Sequence, residues 1–188
     1  MLNLPNFLTL IRILTIPFFL LYLSYHRYFE ALVIFILGGV TDFLDGWTAR
    51  WMKQQTALGA YLDPIADKLL VITSFMMLGL IDGIPVWLAV VVISRDILIL
   101  TGYMIIYFLV EERLEVKPTF TGKSSTMLQL FTLGFALALL HDPLFVDRRV
   151  WNVLVGATAV TTVVSGVQYL YRGLVWLQNQ APKITGLG

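Results

Sequence analysis

Four aspartates, Asp42, Asp45, Asp63 and Asp67, stand with Arg50 and Lys68 inside the stretch TDFLDGWTARWMKQQTALGAYLDPIADKLL, residues 41–70. The chain around them is 58% apolar and only 13% charged, with a mean hydropathy of +0.80. Carboxylates at the ends of apolar runs are costly, since a charge in a hydrocarbon slab costs about 2.5–3.5 kcal/mol on insertion scales. Something must neutralise them. Asp42 and Asp45 are spaced i, i+3, and Asp63 and Asp67 i, i+4, so each pair falls on one helical face, one turn apart. Two such faces turned toward each other gather carboxylate oxygens, the ligand type preferred by hard divalent cations such as magnesium or manganese. The stretch therefore reads as a metal site.

The elements that must hold it are long apolar runs. A membrane span needs about 20 mostly apolar residues to cross roughly 30 Å of hydrocarbon, and six runs qualify: 7–25, 31–51, 60–80, 86–110, 122–140 and 150–171. The expected fold is an all-α integral membrane protein of six transmembrane helices forming one domain over 1–188. No internal repeat, low-complexity tail or soluble domain is visible. The first run has no basic segment before it, carries Arg12 within it and lacks a small-residue cleavage signal, so it reads as a retained span and not a signal peptide. Absence of cysteine excludes thiol catalysis and a disulfide scaffold. A net charge of +1 and no basic run give no footprint for nucleic acid.

The polar segment 53–56 makes a hairpin turn that sets the second and third spans antiparallel, which brings both aspartate pairs to one membrane face. Pro5 and Asn6 sit where the first helix should begin, with Asn6 able to cap it. Asn6, Thr9 and Arg12 share a face at i, i+3, i+6, which favours a guanidinium aimed at a buried phosphate or aspartate over one snorkelling to the interface. Arg95 and Asp96 fall inside the fourth span. Adjacent residues point about 100° apart on a helix, so Arg95 is expected to reach an aspartate of the cluster or a substrate phosphate in preference to its neighbour. Lys123 opens the fifth span beside hydroxyls and free backbone N–H groups, a place that suits an anion. Tyr169, Tyr171 and Trp176 read as an interfacial aromatic belt closing the last span. An even number of spans puts Arg50, Lys53, Arg113, Lys117, Lys123, Arg172 and Lys183 on the side of the aspartates. By the positive-inside rule that side is cytoplasmic.

Carboxylates at span ends around one hairpin fit a reaction on a lipid headgroup better than transport, which places charges at the bilayer midplane on broken helices. A transporter with an acidic metal site is the alternative of another class. The pattern Asp42-x-x-Asp45-Gly46-x-x-Ala49-Arg50, eight residues, then Gly59-x-x-x-Asp63-x-x-x-Asp67 resembles the signature of the CDP-alcohol phosphatidyltransferase family at every position, eight fixed residues in 26. The opening Pro-Asn-x-x-Thr-x-x-Arg and the segment Leu62-Asp-Pro-Ile-Ala-Asp-Lys68 extend the resemblance.

That resemblance implies an enzyme of phospholipid synthesis. Asp42, Asp45, Asp63 and Asp67 would bind two ions, Mg2+ or Mn2+, and Asp67 would double as the base that deprotonates the acceptor hydroxyl. Gly46, Ala49 and Gly59 would leave room for the cytidine nucleotide, Arg50 would hold the diphosphate, and Asn6 and Thr9 would join that nucleotide and diphosphate subsite. Arg12, Arg95 and Lys123 would bind the acceptor or its phosphate. The donor would be CDP-diacylglycerol, with CMP released, in a homodimer with its site at the cytoplasmic face of a bacterial inner membrane. Two acceptors are in view. Length and the Gly122-Lys123 pair resemble phosphatidylglycerophosphate synthases, which use glycerol 3-phosphate. Ile93-Ser94-Arg95-Asp96, Lys117-Pro118-Thr119-Phe120 and Lys123-x-x-Thr126-x-x-Gln129 resemble mitochondrial-type cardiolipin synthases, which use phosphatidylglycerol. Ser125 stands where the first group commonly has a second lysine, so the reading leans to phosphatidylglycerol.

Overall fold

The computed structural model describes residues 4–39, 57–109 and 119–184. They form six helices and no strand: α1 (Leu4–Ser24), α2 (Tyr28–Gly39), α3 (Ala57–Leu80), α4 (Val86–Leu109), α5 (Phe120–His141) and α6 (Arg148–Ile184). The expected all-helical class is reproduced, and a helix falls on each of the six expected runs as far as it is described, the second run lying outside the described residues beyond Gly39. α1 starts at Leu4, so Asn6 lies inside its first turn and not ahead of it as a cap. α3, described from Ala57 onward, already contains Gly59 within its helix. α6 continues to Ile184 and does not close at Tyr171. Its extra turns carry Leu174, Leu177, Gln178 and Gln180, residues that favour helix and a composition less apolar than the span before it.

Three turns close the same end of the bundle. His26 and Asp82 take positive φ, 57° and 58°, a backbone region that His and Asp enter more readily than most residues. Asp142 follows the last turn of α5, with its N–H donating to the Ala138 carbonyl. The ends meet: the Phe29 and His141 rings lie 5.3 Å apart. Gly83 packs so close to Leu78 and Leu140 that a Cβ would come within 2.9 Å of Leu140 Cδ1. α1, α3 and α5 therefore begin at the opposite end, the end at which α3 carries Asp63 and Asp67.

The apolar core fills the turn end. Phe19 and Leu23 of α1, Ala31 of α2, Phe75 and Leu78 of α3, Leu88 and Val92 of α4, Leu133 and Leu137 of α5 and Val155 of α6 pack in one buried cluster. Many large apolar side chains face outward instead, among them Phe18 at 60% and Val153 at 70% exposure. An outer shell this apolar has no place in water and suits lipid. Among the described residues two helical segments are long and apolar enough to cross a membrane, Phe120–His141 and Arg148–Val175. Ile13–Ser24, Tyr28–Gly39 and Lys68–Leu80 are shorter apolar stretches, each bordering residues whose side chains or backbone are not described.

Truncating Phe75 to alanine should destabilise the detergent-solubilised protein by about 3–5 kcal/mol, the cost of a cavity in a packed core. Met76→Ala, on the outward face of the same helix, should change stability by less than about 1 kcal/mol. Reversible unfolding of the two variants side by side checks the assignment of inner and outer faces.

Candidate active site

α3 carries Gly59, Asp63 and Asp67 on one unbroken helix. The backbone thus places Asp63 and Asp67 one turn apart on a shared face, as their spacing requires. Asn6, Thr9 and Arg12 occupy the first three turns of α1, and α1 packs along α3. Asp42, Asp45, Gly46, Ala49 and Arg50 lie outside the described residues, as does the 53–56 turn. Two carboxylates one helical turn apart, both hard oxygen donors, fit one half of a site for a divalent cation.

The residue after Asp67 opens a chain of contacts that sequence reading missed. Lys68 Nζ donates to Asp96 Oδ1 at 2.9 Å, joining α3 to α4. Arg95 Nη1 donates to the same oxygen at 2.6 Å, which overturns the expectation that the two neighbours face too far apart to pair. The backbone vectors do diverge, but the arginine side chain is long enough to fold its guanidinium back. Its other end reaches α6, where Nη2 donates to Ser165 Oγ at 2.7 Å and the guanidinium carbon lies 5.8 Å from the centre of the Tyr169 ring, within cation–π range. Arg95 and Asp96 are 6% and 0% exposed. The arginine stem lies against α6 at Gly166, where a Cβ would stand in ordinary contact, 3.4 Å from Arg95 Cγ.

Tyr169 carries the chain onward to α5. A Cβ at Gly122 would come within 2.9 Å of the Tyr169 hydroxyl and 3.0 Å of Thr119 Oγ1, so glycine is required for the close approach. Thr119 caps α5 by accepting from the Gly122 N–H at 3.0 Å, and Thr121 donates to Gln168 of α6. Lys123, in that same first turn, is exposed. Tyr169 is consequently a packing element between α4, α5 and α6 and does not act as the interfacial belt residue expected of it. Lys68 and Arg95 are linked through Asp96, and Tyr169 joins Arg95 to the first turn of α5, which carries Lys123. Behind them a polar seam joins α5 to α6: Ser125 and Thr162 lie 3.2 Å apart, Gln129 Nε2 donates to both, and Thr132 pairs with Thr158 at 2.8 Å. The seam was legible in hindsight as small hydroxyl residues at helical spacing on both segments.

Asp63 and Asp67 thus stand in the first half of α3, and the next residue, Lys68, is held in a buried charge cluster inside a bundle with an apolar exterior. A family model for CDP-alcohol phosphatidyltransferases matches residues 2–165, and the chain belongs to that family. It is a membrane phosphatidyltransferase. A probable phosphatidylglycerophosphate synthase of Mycobacterium tuberculosis is 33% identical over 178 residues, covering 92% of this chain and 82% of that protein. A CDP-diacylglycerol–glycerol-3-phosphate 3-phosphatidyltransferase of Haemophilus influenzae is 35% identical over 176 residues, 89% of this chain and 91% of that one. The human cardiolipin synthase (CMP-forming) is 36% identical over 189 residues, 91% of this chain and 62% of its own length.

Replacing Ser165 with alanine leaves Arg95 Nη2 without its acceptor inside the bundle. Loss of a hydrogen bond to a charged group should cost about 1.5–3 kcal/mol, read as a lower midpoint of thermal unfolding. Ser165→Thr, which keeps the hydroxyl, should recover most of that loss.

Proposed function

We propose that the protein transfers the phosphatidyl group of CDP-diacylglycerol to an alcohol acceptor, at the cytoplasmic face of a bacterial inner membrane that its helices cross six times. The catalytic unit is one domain over 1–188, working as a homodimer. The observation that carries the reading is the eight-residue motif from Asp42 to Asp67, matched at every position, with its second half on one continuous helix.

Asp42, Asp45, Asp63 and Asp67 would hold the Mg2+ or Mn2+ ions. Bound there, such ions supply charge neutralisation for the phosphate oxygens. The chain's own residues do the rest. Arg50 holds the diphosphate, and the absence of bulky side chains at Gly46, Ala49 and Gly59 admits the cytidine nucleotide beside Asn6 and Thr9. The Asp67 carboxylate takes the proton from the acceptor hydroxyl. The hydroxyl oxygen forms a bond to the lipid-side phosphorus as the bond to the CMP phosphate breaks, and CMP leaves with the electron pair. No covalent intermediate on the protein is required.

Arg12, Arg95 and Lys123 serve the acceptor phosphate. Arg95 already commits donors to Asp96 and Ser165, which leaves the exposed Lys123 as the freer cation. Ser125, standing where phosphatidylglycerophosphate synthases commonly have a second lysine, leaves fewer cations for a free phosphate, so phosphatidylglycerol is the favoured acceptor and cardiolipin the product. Glycerol 3-phosphate is the second reading, favoured by the names of the Mycobacterium tuberculosis and Haemophilus influenzae relatives and by their coverage over most of their length. Both acceptors present the same group, a phosphate, a secondary hydroxyl and a primary hydroxyl on three carbons.

Purified protein with magnesium and labelled CDP-diacylglycerol, given phosphatidylglycerol or glycerol 3-phosphate in separate reactions, should release CMP and yield cardiolipin in the first. Phosphatidylglycerophosphate in the second, with none of the first product, would overturn the favoured acceptor. Absence of CMP from either, together with solute flux in liposomes lacking CDP-diacylglycerol, would replace the enzyme reading with a transporter. Chelating divalent ions with EDTA should stop CMP release, and added Mn2+ or Mg2+ should restore it.

A further inference from the structure

We propose that Asp96 is a positioning residue for Asp67, acting through Lys68. The inference rests on the reading of Asp67 as metal ligand and base, and adds a residue outside the family signature. Lys68 follows Asp67 on α3, so whatever fixes the lysine fixes the rotation of the helical turn that carries the aspartate. The Lys68 Nζ to Asp96 Oδ1 bond of 2.9 Å does this from α4. Asp96 is itself held, because Arg95 donates to the same oxygen at 2.6 Å while its other terminal nitrogen is tied to Ser165 of α6 at 2.7 Å. Three helices are thereby locked in rotation at the level of Asp67.

A purely stabilising role accounts poorly for the arrangement. Buried ion pairs are commonly replaced by apolar residues of similar volume with no loss of stability, and charges inside membrane bundles mark function far more than strength. Nor is the cluster built for full satisfaction. Both cations use Asp96 Oδ1, while Asp96 Oδ2 and Arg95 Nε are buried with no partner.

Asp96→Asn keeps the volume and one oxygen acceptor but removes the charge that orders Lys68. Full-length protein in detergent is titrated with Mn2+, free ion being read by its paramagnetic resonance signal, and steady-state kinetics are measured on the same samples. Loss of a residue that orients a metal ligand costs roughly 10–100-fold in metal affinity or activity; the Mn2+ dissociation constant should rise and kcat fall by at least about tenfold. The KM for CDP-diacylglycerol should stay within about twofold, as expected when uniform substrate binding is untouched. Lys68→Gln should reproduce both changes, and the double variant should be no worse than either single one, since the two act as a unit. Asp96→Glu should restore part of the Mn2+ affinity. If Asp96→Asn does not fold, Lys68→Gln carries the same test.

A variant that melts earlier yet binds Mn2+ and turns over like wild type in its folded fraction would reduce Asp96 to a structural role and overturn the proposal. Additive losses in the double variant would also overturn it. A wild-type protein that binds no Mn2+ at all would remove the metal reading itself, and the positioning role with it.

Discussion

Everything on the phosphate-handling side of this molecule depends on keeping charge inside a bundle whose outer surface is apolar. Asp96 is fully buried, and an uncompensated carboxylate there would be severely destabilising, with removal of one partner of a buried pair costing about 3–5 kcal/mol. The structure meets the constraint by converging Lys68 and Arg95 on one oxygen and by giving Arg95 further partners on α6. Helices that share such a contact cannot rotate independently. The fixed geometry that phosphatidyl transfer needs is thus a by-product of the need to neutralise charge.

The bundle divides its labour by height. Near the three short turns the contacts are apolar and closely packed, from Phe19 and Phe75 to Leu137. Toward the other end the buried described residues become polar: Arg95, Asp96, Thr119, Ser125, Gln129, Thr162 and Ser165. Lipid cannot supply the hydrophobic drive that holds soluble helices together, so interhelical hydrogen bonds and close packing of small residues do more of the work. The Ser125, Gln129 and Thr162 contacts and the Thr132 pair with Thr158 are of that kind. Gly122 permits the approach that brings Tyr169 between helices.

Much of this was legible from residue types and spacing. The six runs, the Asp82 turn and the helix carrying Asp63 and Asp67 follow from hydropathy, turn chemistry and i, i+4 spacing alone. The Asp42–Asp67 motif identifies the family, and the comparisons bear that out. Three features were not legible. The pairing of Arg95 with Asp96 depends on a rotamer, which sequence spacing does not encode. The contact between Lys68 and Asp96 joins residues 28 apart and needs the rotation of two helices to be known. Tyr169 near the end of an apolar run looks the same whether it faces a lipid interface or a glycine on a neighbouring helix. The apolar stretch of α6 also ends before the helix does, because helix propensity carries it on to Ile184.

On the proposed reading Asp67 performs chemistry and does not merely hold the fold. Asp67→Asn keeps shape and polarity at that position but can neither take the acceptor proton nor offer a charged ligand. CMP release from labelled CDP-diacylglycerol, measured on the purified variant beside wild type, should be abolished while elution and thermal unfolding in detergent match. Full turnover by a folded Asp67→Asn protein would contradict the assignment.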